Sequence, residues 1–443
     1  MVLVFQSIAS SVSDSLKGVS GSGRVAKLSQ VLIANAFNNL ASLAITLHAA
    51  RHIGPVGFGA LGLVIAIVTF GVVLLDSGVS VALVRNYNSS SDLAERQFLI
   101  GGVLKGKVLQ VVLVAALAYP LALVVRYLLP VLSELWLVEV GIVSAALMSL
   151  WTSVRAMEQA RRDYTTFTRY VFLYGAFRFA AYGVMLAFHL VTPMSTILSL
   201  YLAPLVVLLV YTLAVRERTS LRIDSLRLVR ESIALWGAVK YGVWVSSAAI
   251  CFALAARAPL ITLARRASLK ELGLYTAALT FVSGFGLIWD ALSTVIVPEV
   301  SGLQTVEARL RFRRALFHKL PIMFLLLSGG LAVCLLAQGF LLGPAYRGSL
   351  TAFAVIGSAT VICMCISVNN NLVHAYGMPQ LLTYMQLGRL VAIALMLGIC
   401  SQIDAFHVAV IYATALFLGD VSLFLCLHRR VRGESSLVVT AAD

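Results

Sequence analysis

Residues 50–85 read ARHIGPVGFGALGLVIAIVTFGVVLLDSGVSVALVR. A Gly/Pro turn opens this stretch, a membrane-length apolar run follows, and one carboxylate, Asp76, stands near its far end. The skeleton returns later in the chain: Arg51, Gly59, Thr69, Asp76 and Ser80 fall on Arg265, Gly273, Ser283, Asp290 and Thr294, an offset of 265 − 51 = 214. One unit is used twice. Thr69, Asp76 and Ser80 are spaced by seven and four residues and share one helical face, as do Ser283, Asp290 and Thr294. An ionisable group in lipid costs about 3 kcal/mol or more, so such a face turns to a bundle interior or a watery cavity. The plainer reading is a carboxylate near a helix end, reached by water or paired with an arginine. Recurrence at one register points instead to an architectural or functional role.

Working outward, the 443 residues are 60% hydrophobic and only 12% charged. A hydrocarbon core of roughly 30 Å needs about 20 apolar residues per helix. Twelve such runs can be placed, at 28–50, 57–84, 99–125, 131–154, 168–190, 195–215, 233–263, 271–298, 316–342, 349–373, 380–400 and 404–428. The expected fold is all-α: a polytopic membrane protein of about 12 helices in two pseudo-symmetric six-helix lobes, 28–215 and 233–428, around a central cationic cavity. A basic linker, 216–232, joins them, and tails at 1–27 and 429–443 flank them. Only short loops remain, so no soluble catalytic domain fits and an enzyme is not expected. Met1 to Phe5 is too short an apolar stretch for a signal peptide.

A formal charge of +15 raises the possibility of nucleic-acid binding, which the distribution of basic residues rejects. Most Lys and Arg lie in the two tails and in every second loop, including clusters at Arg85 to Lys107, Arg155 to Arg169, Arg216 to Arg230, Arg309 to Lys319 and Arg429 to Arg432. That bias places both termini in the cytoplasm, with the clusters against anionic headgroups. All six cysteines fall in apolar runs, and Cys363-Met364-Cys365 lacks the accompanying His or Cys pair of a zinc site, so no metal is expected.

Polar residues inside the runs carry the functional reading. Asn35, Asn39, Ser42 and Thr46 form a stripe that either packs helices together or lines a cavity. Tyr170, Tyr174, Arg178 and Tyr182 recur every four residues, which sets an intramembrane guanidinium between phenols. Arg178 needs an acidic partner, Asp76, Asp290 or Asp420, or else an aqueous cavity in which it meets sugars and phosphates. The seventh run carries Lys240, Trp244 and Cys251 on one face and Arg257 just before Pro259, which favours a kink in a moving helix. Asn369 to Asn371 and His374 end the tenth run, with His374 read as a hydrogen-bonding group at the rim more readily than as a proton relay. Arg389 and Asp420 complete the intramembrane charges. Gly57, Gly59 and Gly62 spell GxGxxG after a helix and outside any βαβ unit, so the nucleotide reading is discarded, and no Gly-x4-Gly-Lys-Ser/Thr motif offers an ATP motor.

A duplicated bundle with a basic interior is the outline of a secondary transporter for an anion. The Arg51-His-Ile-Gly-Pro-Val-Gly-Phe-Gly turn, the Asp76-Ser-Gly-Val-Ser-Val-Ala-Leu-Val-Arg85 helix end and the Asn371-x5-Gly377-Met-Pro379 corner resemble Wzx-type polysaccharide flippases. These belong to the multidrug/oligosaccharidyl-lipid/polysaccharide exporter superfamily. The resemblance implies a multi-pass bacterial inner-membrane protein that flips polyprenyl-diphosphate-linked oligosaccharide units from the cytoplasmic to the periplasmic leaflet. It also implies polymerase and chain-length partners in surface polysaccharide synthesis. Charge and spacing make Arg178, Lys240, Arg257 and Arg389 candidates for the diphosphate or acidic sugars, Tyr174 and Trp244 for sugar contacts, and Arg51 for a weaker role at the turn. Asp76, Asp290 and Asp420 are candidates for a coupling H⁺ or Na⁺, with no other cofactor expected. The competing readings are a multidrug exporter, whose cationic cargo favours a negative cavity, and a polysaccharide polymerase or ligase, which needs a large periplasmic loop.

Overall fold

The computed structural model describes residues 22–89, 92–131, 134–213, 225–301, 305–370, 372–376 and 378–440. Every regular element among them is helical. The helices are α1 (Ser22–Asp76), α2 (Val79–Ser89), α3 (Leu93–Ala116), α4 (Ala118–Leu128), α5 (Leu135–Ala160), α6 (Tyr164–Ala187), α7 (Pro193–Ile197) and α8 (Ala203–Tyr211), then α9 (Ser225–Arg266), α10 (Leu269–Ser301), α11 (Val306–Leu342), α12 (Ser349–Asn370), α13 (Leu372–Ala375), α14 (Pro379–Ile399) and α15 (Ala405–Thr440). Among the described residues ten helices are long and apolar enough to cross a membrane.

The first of those ten is two passes. Gly54, at φ 70° and ψ 174°, interrupts α1 just before Pro55. Before the bend, Phe37 stacks on Phe172 at 4.5 Å and His48 Nδ1 lies 2.8 Å from the Tyr182 hydroxyl, so this arm runs parallel to α6. Beyond the bend, Gly141 faces Val64 and Gly71 faces Ala145, so the second arm runs parallel to α5. Since α5 and α6 are consecutive and antiparallel, with Trp151 packed on both Tyr170 and Tyr174, the chain reverses at Gly54. A left-handed φ is open to glycine without steric cost, which is why the reversal needs so little sequence.

The two copies of the repeat meet across a glycine seam. A Cβ on Gly59 would sit 2.3 Å from the Leu269 carbonyl oxygen, and one on Gly273 would sit 1.8 Å from that of Pro55. Under the 214-residue offset (273 − 59), Gly59 corresponds to Gly273 and Pro55 to Leu269, so the contact is exchanged. Gly62 likewise faces Thr276, its own counterpart. Residue i touching j′ while i′ touches j is the mark of a two-fold axis, here between the second arm of α1 and α10. Gly59 and Gly62 of the GxGxxG triplet therefore belong to packing between the lobes, while Gly57 faces Ile53 and Pro193 within the first. Near this seam the Tyr346 hydroxyl, from a turn between α11 and α12, donates to the Ala50 carbonyl at 2.7 Å, tying the second lobe to the bend of the first.

The second lobe pairs α9 with α14 and α12 with α15. The junction between lobes, expected at 216–232, lies mostly outside the described residues.

Candidate functional site

The expected face on α6 is present and buried: Tyr170, Tyr174, Arg178 and Tyr182 all point inward. Tyr170 packs on fully buried Trp151. Arg178, 5% exposed, is held on every side. Its Nε donates to the Leu200 carbonyl at 2.7 Å, one amino group to the Tyr174 hydroxyl at 2.7 Å, and the other to Asn38 Oδ1 at 3.3 Å. Its guanidinium carbon lies 4.0 Å from the Tyr174 ring centroid and 5.6 Å from that of Tyr201, both within cation–π reach.

The carbonyl that anchors Arg178 has no donor four residues on, because that position is Pro204, which lacks an N–H, and the helix just before it is locally wound too wide. Leu198–Leu202, between α7 and α8, form a π-helical turn. Such turns arise from one extra residue and leave main-chain groups for other partners. Leu200 O accepts from both Arg178 and the Tyr174 hydroxyl, the latter at 3.1 Å. The sequence reading named Asn39 in a polar stripe, but it is its neighbour Asn38 that reaches the site.

From Arg178 a series of cations and phenols continues both ways. Arg155 of α5 lies within electrostatic reach of Tyr174 and Arg178. Tyr201 of the π turn lies within reach of both Arg178 and Arg257, the latter on α9 of the second lobe. Around Arg257 stand Tyr201, Tyr275 and Tyr412. Tyr412 in turn neighbours Arg389 and Asp420. Among the described residues no carboxylate forms an ion pair with Arg155, Arg178 or Arg257. Three such guanidinia run from one lobe to the other.

Arg389 differs. It lies 3.3 Å from Asp420 Oδ2, donates to Gln386 Oε1 at 3.0 Å and to the Leu416 carbonyl at 3.2 Å. Gly419 leaves it room, since a Cβ there would come within 3.0 Å of its Nε. Asn370 Nδ2 donates to the Asp420 main-chain carbonyl at 3.2 Å, and Cys363 and Ser367 neighbour its carboxylate. Arg389 and Asp420 are thus committed to each other, and that pair adds little net charge to the ladder.

Asp76 is also paired, though with a lysine instead of the arginine considered from the sequence. Lys107 Nζ lies 3.9 Å from Asp76 Oδ1 and donates to the Leu75 carbonyl at 2.6 Å and to Ser149 Oγ at 2.9 Å. Ser80 donates to Asp76 at 2.5 Å. The helix breaks here, with Ser77 at φ 44° and Gly78 at φ 78°, and Lys107 and Gln110 together satisfy the carbonyl the break releases. Lys107, 4% exposed, corrects the reading that put it in a cytoplasmic charge cluster. Arg155 corrects it too. Arg155 follows directly on its apolar run, where loop and helix cannot be told apart by composition, and Lys107 lies eight residues (107 − 99) into its own run, within α3.

The remaining candidates are not gathered here. Trp244 is 39% exposed, packs edge-on to Tyr384 at 6.0 Å, and lies 13 residues (257 − 244), about 20 Å, along α9 from Arg257. Arg51 is exposed at the bend beside His52. The side chains of Lys240, Asp290 and His374 lie outside those described. α9 itself continues through Pro259 as one helix.

A family model described as a polysaccharide biosynthesis protein matches residues 49–338, well over half of the chain. The chain belongs to that family. No curated protein matches the sequence. Among solved structures, this polysaccharide biosynthesis protein is similar to the inward-facing conformation of a multidrug resistance MATE family transporter of the MOP superfamily. That match has a TM-score of 0.68 and 12% identity, covering 90% of this chain and 96% of that one. The outward-facing conformation of such a transporter matches with a TM-score of 0.56 at 13% identity over 93% and 96%. A third match is a MOP superfamily transporter from Pyrococcus furiosus, reported with a binding pocket of reversed polarity. It gives a TM-score of 0.54 at 14% identity over 92% and 95%. Family and fold together bear out the resemblance to Wzx-type flippases: this is a multi-pass membrane protein of a polysaccharide biosynthesis family, with the fold seen in those transporters.

Proposed function

We propose that this protein flips a polyprenyl-diphosphate-linked oligosaccharide from the cytoplasmic to the periplasmic leaflet of a bacterial inner membrane. One observation carries the reading: buried Arg178 and half-buried Arg155 and Arg257 form a cationic path across the lobe boundary without carboxylate partners among the described residues. A diphosphate offers these guanidinia the bidentate oxygens they suit, and the phenols between them offer faces for sugar rings. Two lobes rocking about the Gly59/Gly273 seam would carry the anion past the ladder. The positive-inside bias supports cytoplasmic termini, which puts Gly54 on the periplasmic side.

A cationic drug as cargo is disfavoured by the same ladder. Coupling to H⁺ or Na⁺ at Asp76 is supported by its place at a broken helix beside Lys107, where half-helix ends suit ions. The deciding experiment is to deplete the protein in its host and measure the sidedness of lipid-linked oligosaccharides. Complete units should accumulate in the cytoplasmic leaflet while surface polysaccharide falls. Single units on the periplasmic leaflet would instead favour a polymerase.

A further inference from the structure

At the end of the molecule opposite Gly54, α2, α5 and the start of α6 line an open cavity of about 480 Å³. Arg155, Thr152 and Gln159 line it from α5, Ser80 and Val84 from α2, and Phe167 from α6. Arg155 Nε is buried and has no hydrogen-bond partner among the described residues. The carboxylate one turn further on, Glu158, lies 3.2 Å from Arg161. Asp76 approaches the cavity only through Ser80 and stands beside Lys107. The local balance is therefore positive, and a buried guanidinium nitrogen without an acceptor is costly to leave so.

The lining narrows the ligand. The Arg155 guanidinium and the Gln159 amide offer donors from one helix, while the Ser80 and Thr152 hydroxyls already donate to Asp76 and the Ser149 carbonyl, so the open donors are those of a charged fork and an amide, which suit a group with several acceptor oxygens. A phosphate meets that need, whereas a flat carboxylate is satisfied by the arginine alone. Val84 and Phe167 supply an apolar wall, and the volume exceeds that of a bare ion. Tyr174 lies within electrostatic reach of both Arg155 and Arg178, so the cavity adjoins the ladder. We infer that this cavity is a loading site that takes the phosphate end of a prenyl-phosphate lipid before the anion reaches Arg178. The inference rests on the flippase reading and makes Arg155 the entry position of its cationic path.

The test is photolabelling of the purified full-length protein with a diazirine-bearing farnesyl phosphate, followed by peptide mapping. Adducts are expected within 79–89 and 152–167, abolished by excess farnesyl phosphate and retained with farnesol or inorganic phosphate. Arg155→Gln should reduce labelling about tenfold, as loss of a charge-assisted contact does. Thr152→Ala, a milder change, should reduce it by a factor of a few. Competed adducts confined to peptides containing Arg178, Tyr201 or Arg257 would overturn the loading site and leave the flippase reading intact. Absence of competed adducts anywhere would sink both. Competition by inorganic phosphate equal to that of farnesyl phosphate would overturn the lipid assignment in favour of free phosphate.

Discussion

The glycine seam makes a quantitative prediction. Alanine at Gly273 places a carbon 1.8 Å from the Pro55 carbonyl oxygen, and alanine at Gly59 places one 2.3 Å from that of Leu269. Ordinary contact needs about 3.4 Å or more, so each substitution drives the second arm of α1 and α10 apart by more than an ångström, and overpacking of this kind costs about 1–3 kcal/mol. Because one axis carries both contacts, a single separation relieves both clashes. The double variant should therefore cost clearly less than the sum of the singles. Apparent melting temperatures of the purified protein read this directly: a drop of several degrees for each single and little more for the pair. Gly106→Ala and Gly183→Ala, where a Cβ meets nothing within 4 Å, serve as controls and should be neutral or slightly stabilising. Wild-type melting for Gly273→Ala, or strict additivity in the pair, would refute the exchanged contact.

Other expectations follow from the site. Arg178→Gln should lower flipping at least tenfold in a reconstituted leaflet assay, and Arg178→Lys should not restore it, since an ammonium cannot serve the Leu200 carbonyl, Tyr174 and Asn38 at once. Arg389→Gln and Asp420→Asn should each destabilise by about 3–5 kcal/mol, because each leaves a buried charge unpaired. The combined variant should recover much of that loss in thermal unfolding. Asp76→Asn should shift the pH and Na⁺ dependence of flipping while sparing lipid-phosphate binding, and unchanged dependence on both would remove Asp76 from coupling.

The fold was legible because membrane spans are written in long apolar runs, and the offset between Arg51 and Arg265 exposed the duplication. The four-residue spacing of Tyr170, Tyr174, Arg178 and Tyr182 placed half of the ladder, since a helix face needs no tertiary knowledge. Arg155 and Lys107 escaped because a basic residue just past a run, or a couple of turns into one, looks the same whether it meets headgroups or turns inward. Asn38 escaped for a similar reason: one residue of helical phase decides which amide reaches Arg178. The role of Gly59 and Gly62 was invisible locally, because a glycine's neighbours across a seam come from a segment 214 residues away (273 − 59).

The over-wide turn at Leu198–Leu202 sets a rule of counting. Everything after it is rotated by the one residue it contains in excess, and a single residue is about 100° of helix. Removing one residue from Leu198 to Leu200 would let the segment wind as an ordinary α-helix and turn Tyr201 relative to what precedes it, off the line that joins Arg178 to Arg257. Side chains at Leu198 and Leu202 could be exchanged for others of similar bulk with modest effect, whereas Pro204 could not, because a residue with an N–H there would compete with Arg178 for the Leu200 carbonyl. The link between the lobes is indexed by chain length at the turn and kept open by one proline beyond it.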